Sequence, residues 1–235
     1  MKKFAKPIVV ILCLLFVAIY TGCQTEMALE NSEKPMELPS DFSVPDMEFI
    51  GFKGNGNFGQ LTNKDIEGIL KTKAFSRMGG DLQNAGIAVD QREAYFGIYS
   101  LQEIETYKNT KRYVTFVDMS DFSLTYKDNY MSGSRVAGQV LTGLVITAPI
   151  GVILWAQPYK TELHLEATCK IIVYDAQTKT VKGTRNVYVN RSDTYKGIWW
   201  KTSQAGKEKI YNNYGTVLAN EILKEYSGIK KTLGL

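Results

Sequence analysis

The alternation of apolar and polar residues predicts a sheet built from five strands. Short apolar runs at 47–52 and at 87–89 predict the first two strands. A longer run at 113–126 predicts the third. In 162–175 every second residue of the fourth strand is apolar, namely Leu163, Leu165, Ala167, Cys169, Ile171 and Val173. The polar turn at 175–179 leads into a partner strand at 180–190, and this pair is predicted to form a β-hairpin.

Three further segments have apolar residues at helical spacing. The first follows Thr62-Asn63-Lys64-Asp65, which fits a capping box, and the others cover 91–107 and 207–226. Their apolar positions are Ile66, Ile69, Leu70 and Ala74; Tyr95, Ile98, Leu101 and Ile104; and Ile210, Tyr214, Val217, Leu218 and Ile222. The order β-α-β-α-β-[apolar segment]-β-β-α predicts an α/β (α+β) fold, with one domain at 47–230 whose mixed sheet carries packed helices.

The N-terminus has the layout of a secretory signal peptide. Three lysines precede a 13-residue apolar run at 8–20, which is too short to cross a hydrocarbon core of about 30 Å as a helix. Thr21-Gly22-Cys23 follows and resembles a bacterial lipobox, although Tyr20 stands where that pattern prefers Leu. We therefore predict a lipoprotein signal peptide at 1–22 and a membrane anchor through acylated Cys23; the alternative is an uncleaved signal anchor.

Cleavage at that site changes the charge and the cysteine content. The formal net charge of +4 falls to about +1, so the basic sequence gives no argument for nucleic acid as a partner. Cys169 is then the only unmodified cysteine, which excludes an intrachain disulfide. Residues 23–46, with three prolines, are predicted to form the lipidated N-terminus and a flexible tether. The residue after Cys23 is Gln24 and not the Asp that retains lipoproteins in the inner membrane of enteric bacteria. This favours the periplasmic side of the outer membrane over the cytoplasmic membrane.

Three local motifs resemble one family of envelope proteins. They are A-G-I-A-V-D-Q-R-E (85–93), the long strand at 112–126, and the hairpin I-I-V-Y-D-A-Q-T-K-T-V-K-G (171–183). Together they resemble the TolB N-terminal-like fold of bacterial lipoproteins, a group that includes CsgG and LpoB. The hairpin is usually D-x-x-T-G-E-V there, and Lys179 stands in place of its Gly. The resemblance implies assembly or scaffolding in the envelope without catalysis. TraT-type surface lipoproteins, which have a Gly-rich apolar segment inside a polar domain, are a looser resemblance.

An uncharged stretch of 24 residues, 136–159, interrupts the domain. A straight helix of that length would rise about 36 Å, but Pro149 and Gly151 oppose one. If the flanking strands share a sheet, the segment must leave and return. A membrane-inserted hairpin, a core or subunit interface, and a single span all remain open, while the lack of polar alternation opposes a water-filled pore. The residues predicted to make this contact are Val140, Leu141, Leu144, Val145, Ile146, Pro149, Ile150, Val152, Ile153, Leu154 and Trp155.

Residues that could carry chemistry are few. G-x-G-x-x-G at 54–59 is followed by a helix cap only at Thr62, so a surface loop is favoured over a dinucleotide site. His164, between Glu162 and Glu166, is expected on a polar strand face, and Cys169 on an apolar one. No enzyme activity, cofactor or metal site is predicted.

A second candidate surface surrounds two tryptophans. The segment Tyr195-Lys196-Gly197-Ile198-Trp199-Trp200 offers Tyr195, Ile198, Trp199 and Trp200 as a partner patch or a lipid headgroup belt; they could equally be core residues at the sheet edge. Two functions follow as expectations. The first is a non-enzymatic lipoprotein that assembles or scaffolds at a membrane, with self-association or a protein partner. The second is a periplasmic regulator that docks a partner through Trp199 and Trp200.

Overall fold

The computed structural model describes residues 34–54, 58–90, 103, 106, 111–129, 160–197 and 202–234. Four predictions lie outside these residues: the signal peptide 1–22, the lipidated Cys23, the apolar insertion 136–159 and the run Ile198-Trp199-Trp200. Of the helix predicted at 91–107, only Glu103 and Thr106 are described, and both are helical.

Among the described residues, five strands form one mixed sheet in the order β2-β1-β3-β4-β5. The strands are β1 (Met47–Lys53), β2 (Ala88–Val89), β3 (Tyr113–Asn129), β4 (Lys160–Asp175) and β5 (Thr180–Lys196). β1 runs parallel to both neighbours, with Phe49 paired to Val89 on one side and to Thr115 on the other. The predicted α+β class, a mixed sheet with packed helices, is confirmed. β3 and β5 continue past their predicted ends, to Asn129 and Lys196.

The helices whose bounds lie within the described residues are α1 (Asn63–Leu70), α2 (Lys73–Asn84), α3 (Gln204–Ser227) and α4 (Ile229–Leu233). The predicted capping box is confirmed, since Thr62 Oγ1 accepts from the Asp65 amide at 3.3 Å and Asp65 Oδ2 accepts from the Thr62 amide at 2.9 Å. The apolar spacing predicted that the first helix continues to Ala74, but α1 ends at Leu70. The Thr72 hydroxyl donates to the Ile69 carbonyl at 2.8 Å and caps that end, so Ala74 belongs to a second helix.

The core lies where the expected apolar stripes meet. In β4 all six alternating apolar residues are at most 1% exposed, as predicted. The predicted stripe of α3 is buried as well, from Ile210 to Ile222. Aromatic rings of β1 and α3 pack edge to face: Phe49 of β1 contacts Phe52 of the same strand and Tyr226 of α3, with ring centroids 5.6 and 6.1 Å apart.

The described chain divides into two compact units. The larger contains the described residues within 34–125, 164–192 and 208–234, which include β1, β2, α1, α2 and most of the other elements. The smaller contains 126–129, 160–163, 193–197 and 202–207, which are the last residues of β3, the first of β4, the last of β5 and the start of α3. Among the described residues no helix is both long and apolar enough to cross a membrane.

Residues 34–46, assigned by the sequence to a tether, are part of the larger unit. Phe42 and Val44 are buried, at 7% and 1% exposed. The Asn220 side chain donates to the Lys34 carbonyl at 2.9 Å and accepts from the Met36 amide at 2.7 Å, and Glu37 pairs with Arg77. This part of the predicted tether is therefore in contact with the fold.

Candidate functional site

The direction of β3 and β4 decides where the apolar insertion is attached. The Ala176 amide donates to the Arg112 carbonyl at 2.9 Å, which places the end of β4 beside the start of β3. The two strands are neighbours in the sheet and have 17 and 16 residues. They are therefore antiparallel, and Asn129 and Lys160 lie at the same end of the sheet.

The strand β5 ends at that same place. A four-residue turn, 176–179, joins β4 to β5. At the other end of the pair, the Thr161 hydroxyl donates to the Gly197 carbonyl at 2.7 Å, and the Thr161 side chain is fully buried. We call the edge defined by Asn129, Lys160 and Gly197 the insertion end of the sheet.

The helix α3 also begins in the smaller unit. Ser203 caps it, because its Oγ accepts from the Gly206 amide at 3.1 Å and its carbonyl accepts from the Lys207 amide at 3.0 Å. Gly197, at the insertion end, and Ser203, at the start of α3, therefore both belong to the smaller unit. Both segments that the sequence predicts to be membrane or partner contacts, 136–159 and Ile198-Trp199-Trp200, are thus joined to the fold at one end of one sheet.

The opposite end of β4 and β5 is held by a buried carboxylate. Asp175 is fully buried and lies 3.1 Å from the Arg112 guanidinium and 3.7 Å from the Lys182 ammonium. Its Oδ1 also accepts from the Gln177 and Thr178 amides at 2.9 and 3.2 Å. Burial raises its pKa, but the bonds from Arg112 and the two amides outweigh burial and lower the pKa to about 2. These ion pairs and hydrogen bonds stabilise the turn between β4 and β5.

Of the proposed partner patch only Tyr195 is described, and it is 1% exposed. Its side chain is therefore part of the interior rather than of an open surface, as its place in the buried alternation of β5 explains. Ile198, Trp199 and Trp200, Cys23, and the eleven insertion residues from Val140 to Trp155 lie outside the described residues and stay predictions.

His164 and Cys169 lie where the alternation of β4 places them. His164 is exposed, and its Nδ1 lies 2.7 Å from the Ser192 hydroxyl. Cys169 is buried, and burial, assisted by Asp118 and Asp121, raises the pKa of its thiol to about 12. Within the described ranges no three His, Cys, Asp or Glu side chains come together as metal ligands.

As expected, the first helix begins only after the glycine-rich segment 54–59. α1 begins at Asn63, after its Thr62 cap, so its N-terminus lies beyond the glycines. Gly59 has a φ of +70° and bridges Leu124 of β3. A Cβ at Gly59 would lie 2.8 Å from Ser123 Oγ, which gives this glycine a packing reason.

A cleft that the sequence patterns did not reveal lies between 37–42 and α2. Its volume is about 220 Å³, and Asp81 and Glu37 contribute its carboxylates. The Oδ2 atom of Asp81 is buried without a hydrogen bond from any described residue, and burial raises the pKa of the carboxyl group, opposed by Arg77. The cleft forms because residues 34–46 pack against the fold, and no periodic pattern of apolar residues predicts that packing. Its lining is Glu37, Leu38, Pro39, Ser40, Phe42, Asp81, Asn84 and Ala85.

Comparison with known proteins gives distant similarities in structure alone. No protein-family model and no curated protein sequence matches the chain. A homologue of the neuraminyllactose-binding hemagglutinin from Helicobacter pylori is 8% identical, with a TM-score of 0.43 over 86% of this chain and 95% of its own. A DUF330 protein from Xanthomonas campestris is 9% identical, with a TM-score of 0.40 over 86% and 97%. A minor lipoprotein from Acinetobacter baumannii is 8% identical, with a TM-score of 0.29 over 82% and 94%. At these values the similarity carries no argument about function.

Proposed function

We propose that this protein is a non-enzymatic, lipid-anchored protein of the bacterial envelope that acts in assembly or scaffolding at a membrane. The anchor is Cys23, and the periplasmic side of the outer membrane is the favoured location. The observation that carries the proposal is the antiparallel pairing of β3 and β4, which places Asn129 and Lys160 at one end of the sheet.

That pairing supports a segment that leaves and returns. A chain that crossed a bilayer once between Asn129 and Lys160 would put the two strands on opposite sides of the membrane, where they could not pair. The strands are neighbours in one sheet. Of the three possibilities for 136–159, the membrane-inserted hairpin and the packed interface are therefore favoured over the single span. An apolar hairpin beside a lipid anchor would give the protein a second contact with the same membrane.

The experiment uses the full-length chain and removes one contact at a time. Cys23→Ala, in a chain whose residues 1–22 are replaced by a cleavable secretory signal without a lipobox, eliminates both the lipid and the apolar run at 8–20; Leu144→Asp with Ile153→Asp puts two charges into the apolar insertion; both changes are then combined. Val181→Asp, at an exposed position of β5 on the turn side, is the matched control for added charge. Each protein is sized with and without detergent, and its share in the membrane fraction is measured.

If 136–159 contacts the membrane, the share of protein in the membrane fraction should fall in two steps. Cys23→Ala alone should leave part of the protein in the membrane fraction and dependent on detergent, and the combined variant should release it. Val181→Asp should change neither measurement. A Cys23→Ala protein that is a detergent-free monomer would overturn the membrane contact at 136–159 and favour packing inside protein. A large ring in detergent would instead support a channel despite the missing alternation.

A second function is favoured by the attachment of Ile198-Trp199-Trp200 at the insertion end. In this alternative the protein is a periplasmic regulator whose partner docks on the two tryptophans, while 136–159 packs within protein. Trp199→Ala with Trp200→Ala should then abolish capture of the partner and leave the circular dichroism spectrum unchanged. Unaltered capture would remove this alternative.

A further inference from the structure

The strand β5 is the edge of the sheet among the described strands. It is 17 residues long and contains no proline. An edge strand of this length presents a row of backbone amides and carbonyls that can pair with another strand, and natural proteins usually protect such edges with charges, prolines or bulges. The question is therefore which strand could pair with β5.

The sequence of β5 reads nearly the same in both directions. Residues 184–192 are T-R-N-V-Y-V-N-R-S, with Tyr188 at the centre. In an antiparallel pair of two copies related by a two-fold axis at Tyr188, residues equally distant from Tyr188 face each other. Asn186 then faces Asn190, Val187 faces Val189, and Tyr188 faces its own copy. A strand of this kind is complementary to itself.

The outward face of this strand carries no charge along the same stretch. Thr184, Asn186, Tyr188, Asn190 and Ser192 are all exposed, and Tyr188 is 57% exposed. The Asn190 side chain donates to the Tyr188 hydroxyl at 3.1 Å, which positions the ring beside the centre of the strand. Cross-strand pairs of amides, hydroxyls and aromatic rings favour strand association.

One like-charged pair would form, Arg185 against Arg191. Arg185 is already neutralised inside its own chain, since its guanidinium lies 2.7 Å from the Glu225 carboxylate and donates to the Gly228 carbonyl at 3.3 Å. Both arginines are half-buried, at alternate positions to the exposed polar residues. Their side chains therefore lie on the other face from Tyr188, and the Arg185 charge is satisfied before any pairing.

We propose that β5 pairs with β5 of a second copy of this chain, antiparallel and about a two-fold axis at Tyr188, so that the two sheets become continuous. The proposal deepens the proposed function only by naming the self-association partner and its surface. It needs neither the lipid nor the insertion.

Cysteine pairs test the register directly in the full-length chain. One tagged chain carries Thr184→Cys and a differently tagged chain carries Ser192→Cys, and both are produced in the same cells. Facing Cα atoms of an antiparallel pair lie about 4.5–5.5 Å apart, within the range that a disulfide spans. Two copies of the same single variant would hold their cysteines eight positions apart, about 26 Å along the strand, and should not link.

The expected result is a disulfide-linked heterodimer on a non-reducing gel, roughly tenfold more abundant than any homodimer of either variant. Tyr188→Cys should link to its own copy, because position 188 lies on the axis. Val181→Cys is the matched control: it lies on the same strand and is 45% exposed, but it is seven positions from the axis and should not link. The unsubstituted chain controls for Cys13, Cys23 and Cys169.

Adding Tyr188→Lys to both chains should reduce the heterodimer roughly tenfold, because two ammonium groups would face each other across the axis. Equal linking by Val181→Cys and Tyr188→Cys, or no heterodimer at all, would overturn the proposal. Its failure is distinguishable from failure of the proposed function, since the cross-link depends on β5 while membrane retention depends on Cys23 and 136–159.

Discussion

The hydroxyl groups of Tyr226 and Thr115 lie 2.6 Å apart, and both side chains are fully buried. The Thr115 hydroxyl donates to the Glu48 carbonyl at 3.1 Å, so the Tyr226 hydroxyl is the donor to Thr115. The contact joins residues 111 positions apart and ties α3 to β3 and β1. Burial raises the pKa of the Tyr226 hydroxyl well above its usual value, which favours the protonated form that donates this bond.

Removing that donor should destabilise the protein. We expect Tyr226→Phe to lower the free energy of unfolding by about 1–2 kcal/mol, since one buried hydrogen bond is lost while Thr115 keeps its bond to Glu48. Urea unfolding followed by circular dichroism measures the change. Tyr188→Phe removes the same atom from an exposed ring and should cost less than about 0.5 kcal/mol. Equal costs for the two variants would contradict the account.

The turn between β4 and β5 contains a backbone conformation unsuited to its residue. Lys179 has a φ of 53°, the left-handed region that glycine tolerates better than lysine. Lys179→Gly should therefore raise the free energy of unfolding by about 0.5–1 kcal/mol, the relief of strain exceeding the added entropy of the unfolded chain. Gln177→Gly, two positions earlier and without a positive φ, should not stabilise. A gain from both variants would point to a cause other than φ, and urea unfolding at neutral pH decides.

Sequence patterns predicted the sheet well because its local signals agree with its tertiary role. In β4 every second residue from Leu163 to Val173 is both apolar and buried, so period and environment coincide. The Thr62 cap and the hairpin turn are determined within four residues and were likewise predictable.

What could not be predicted depends on contacts between distant residues. The docking of Phe42 and Val44 rests on apolar residues isolated among prolines and acids, which give no periodic signal. The end of α1 at Leu70 follows from the Thr72 bond and from α3, which crosses at Gly215. Tyr195 looked like a surface aromatic because it neighbours two tryptophans and lies beyond the predicted end of the strand at 190. The strand continues to Lys196, and its alternation places Tyr195 on the inner face.

Two glycines on different helices should respond in opposite directions to alanine. A Cβ at Gly215 would lie 2.4 Å from Thr72 Oγ1 and 3.1 Å from the Ile69 carbonyl, whereas a Cβ at Gly80 would meet nothing within 4 Å. Gly215→Ala should cost roughly 1–3 kcal/mol through overpacking. Gly80→Ala should stabilise α2 by about 0.5–1 kcal/mol. Thermal unfolding of the two variants measures both.

The cause at Gly215 can be isolated with a second change. Thr72→Ala removes the closest atom, so Gly215→Ala should cost less in that background than in the original chain. The same thermal measurement on the four proteins of this cycle gives the coupling. Purely additive costs would mean that the Ile69 carbonyl, not the Thr72 hydroxyl, limits the approach of the two helices.

Because of Asp175, the free energy of unfolding should decrease at low pH. Its pKa is lowered to about 2, mainly by Arg112 and two backbone amides acting against burial. A carboxyl group with a lowered pKa stabilises the fold above its ordinary pKa of 3.8, and that contribution is lost as the pH falls toward 2.

At pH 7 we expect Asp175→Asn to lower the free energy of unfolding by roughly 2 kcal/mol, because Arg112 and Lys182 lose their charged partner while the turn amides keep an acceptor. The difference from the unsubstituted protein should shrink when urea unfolding is repeated below the ordinary pKa of the carboxyl group. Glu67→Gln, in an exposed pair with Lys71 at 3.7 Å, is the control and should change stability by less than about 0.5 kcal/mol. A cost for Asp175→Asn that is the same at both pH values would show that the turn depends on the shape of the side chain and not on its charge.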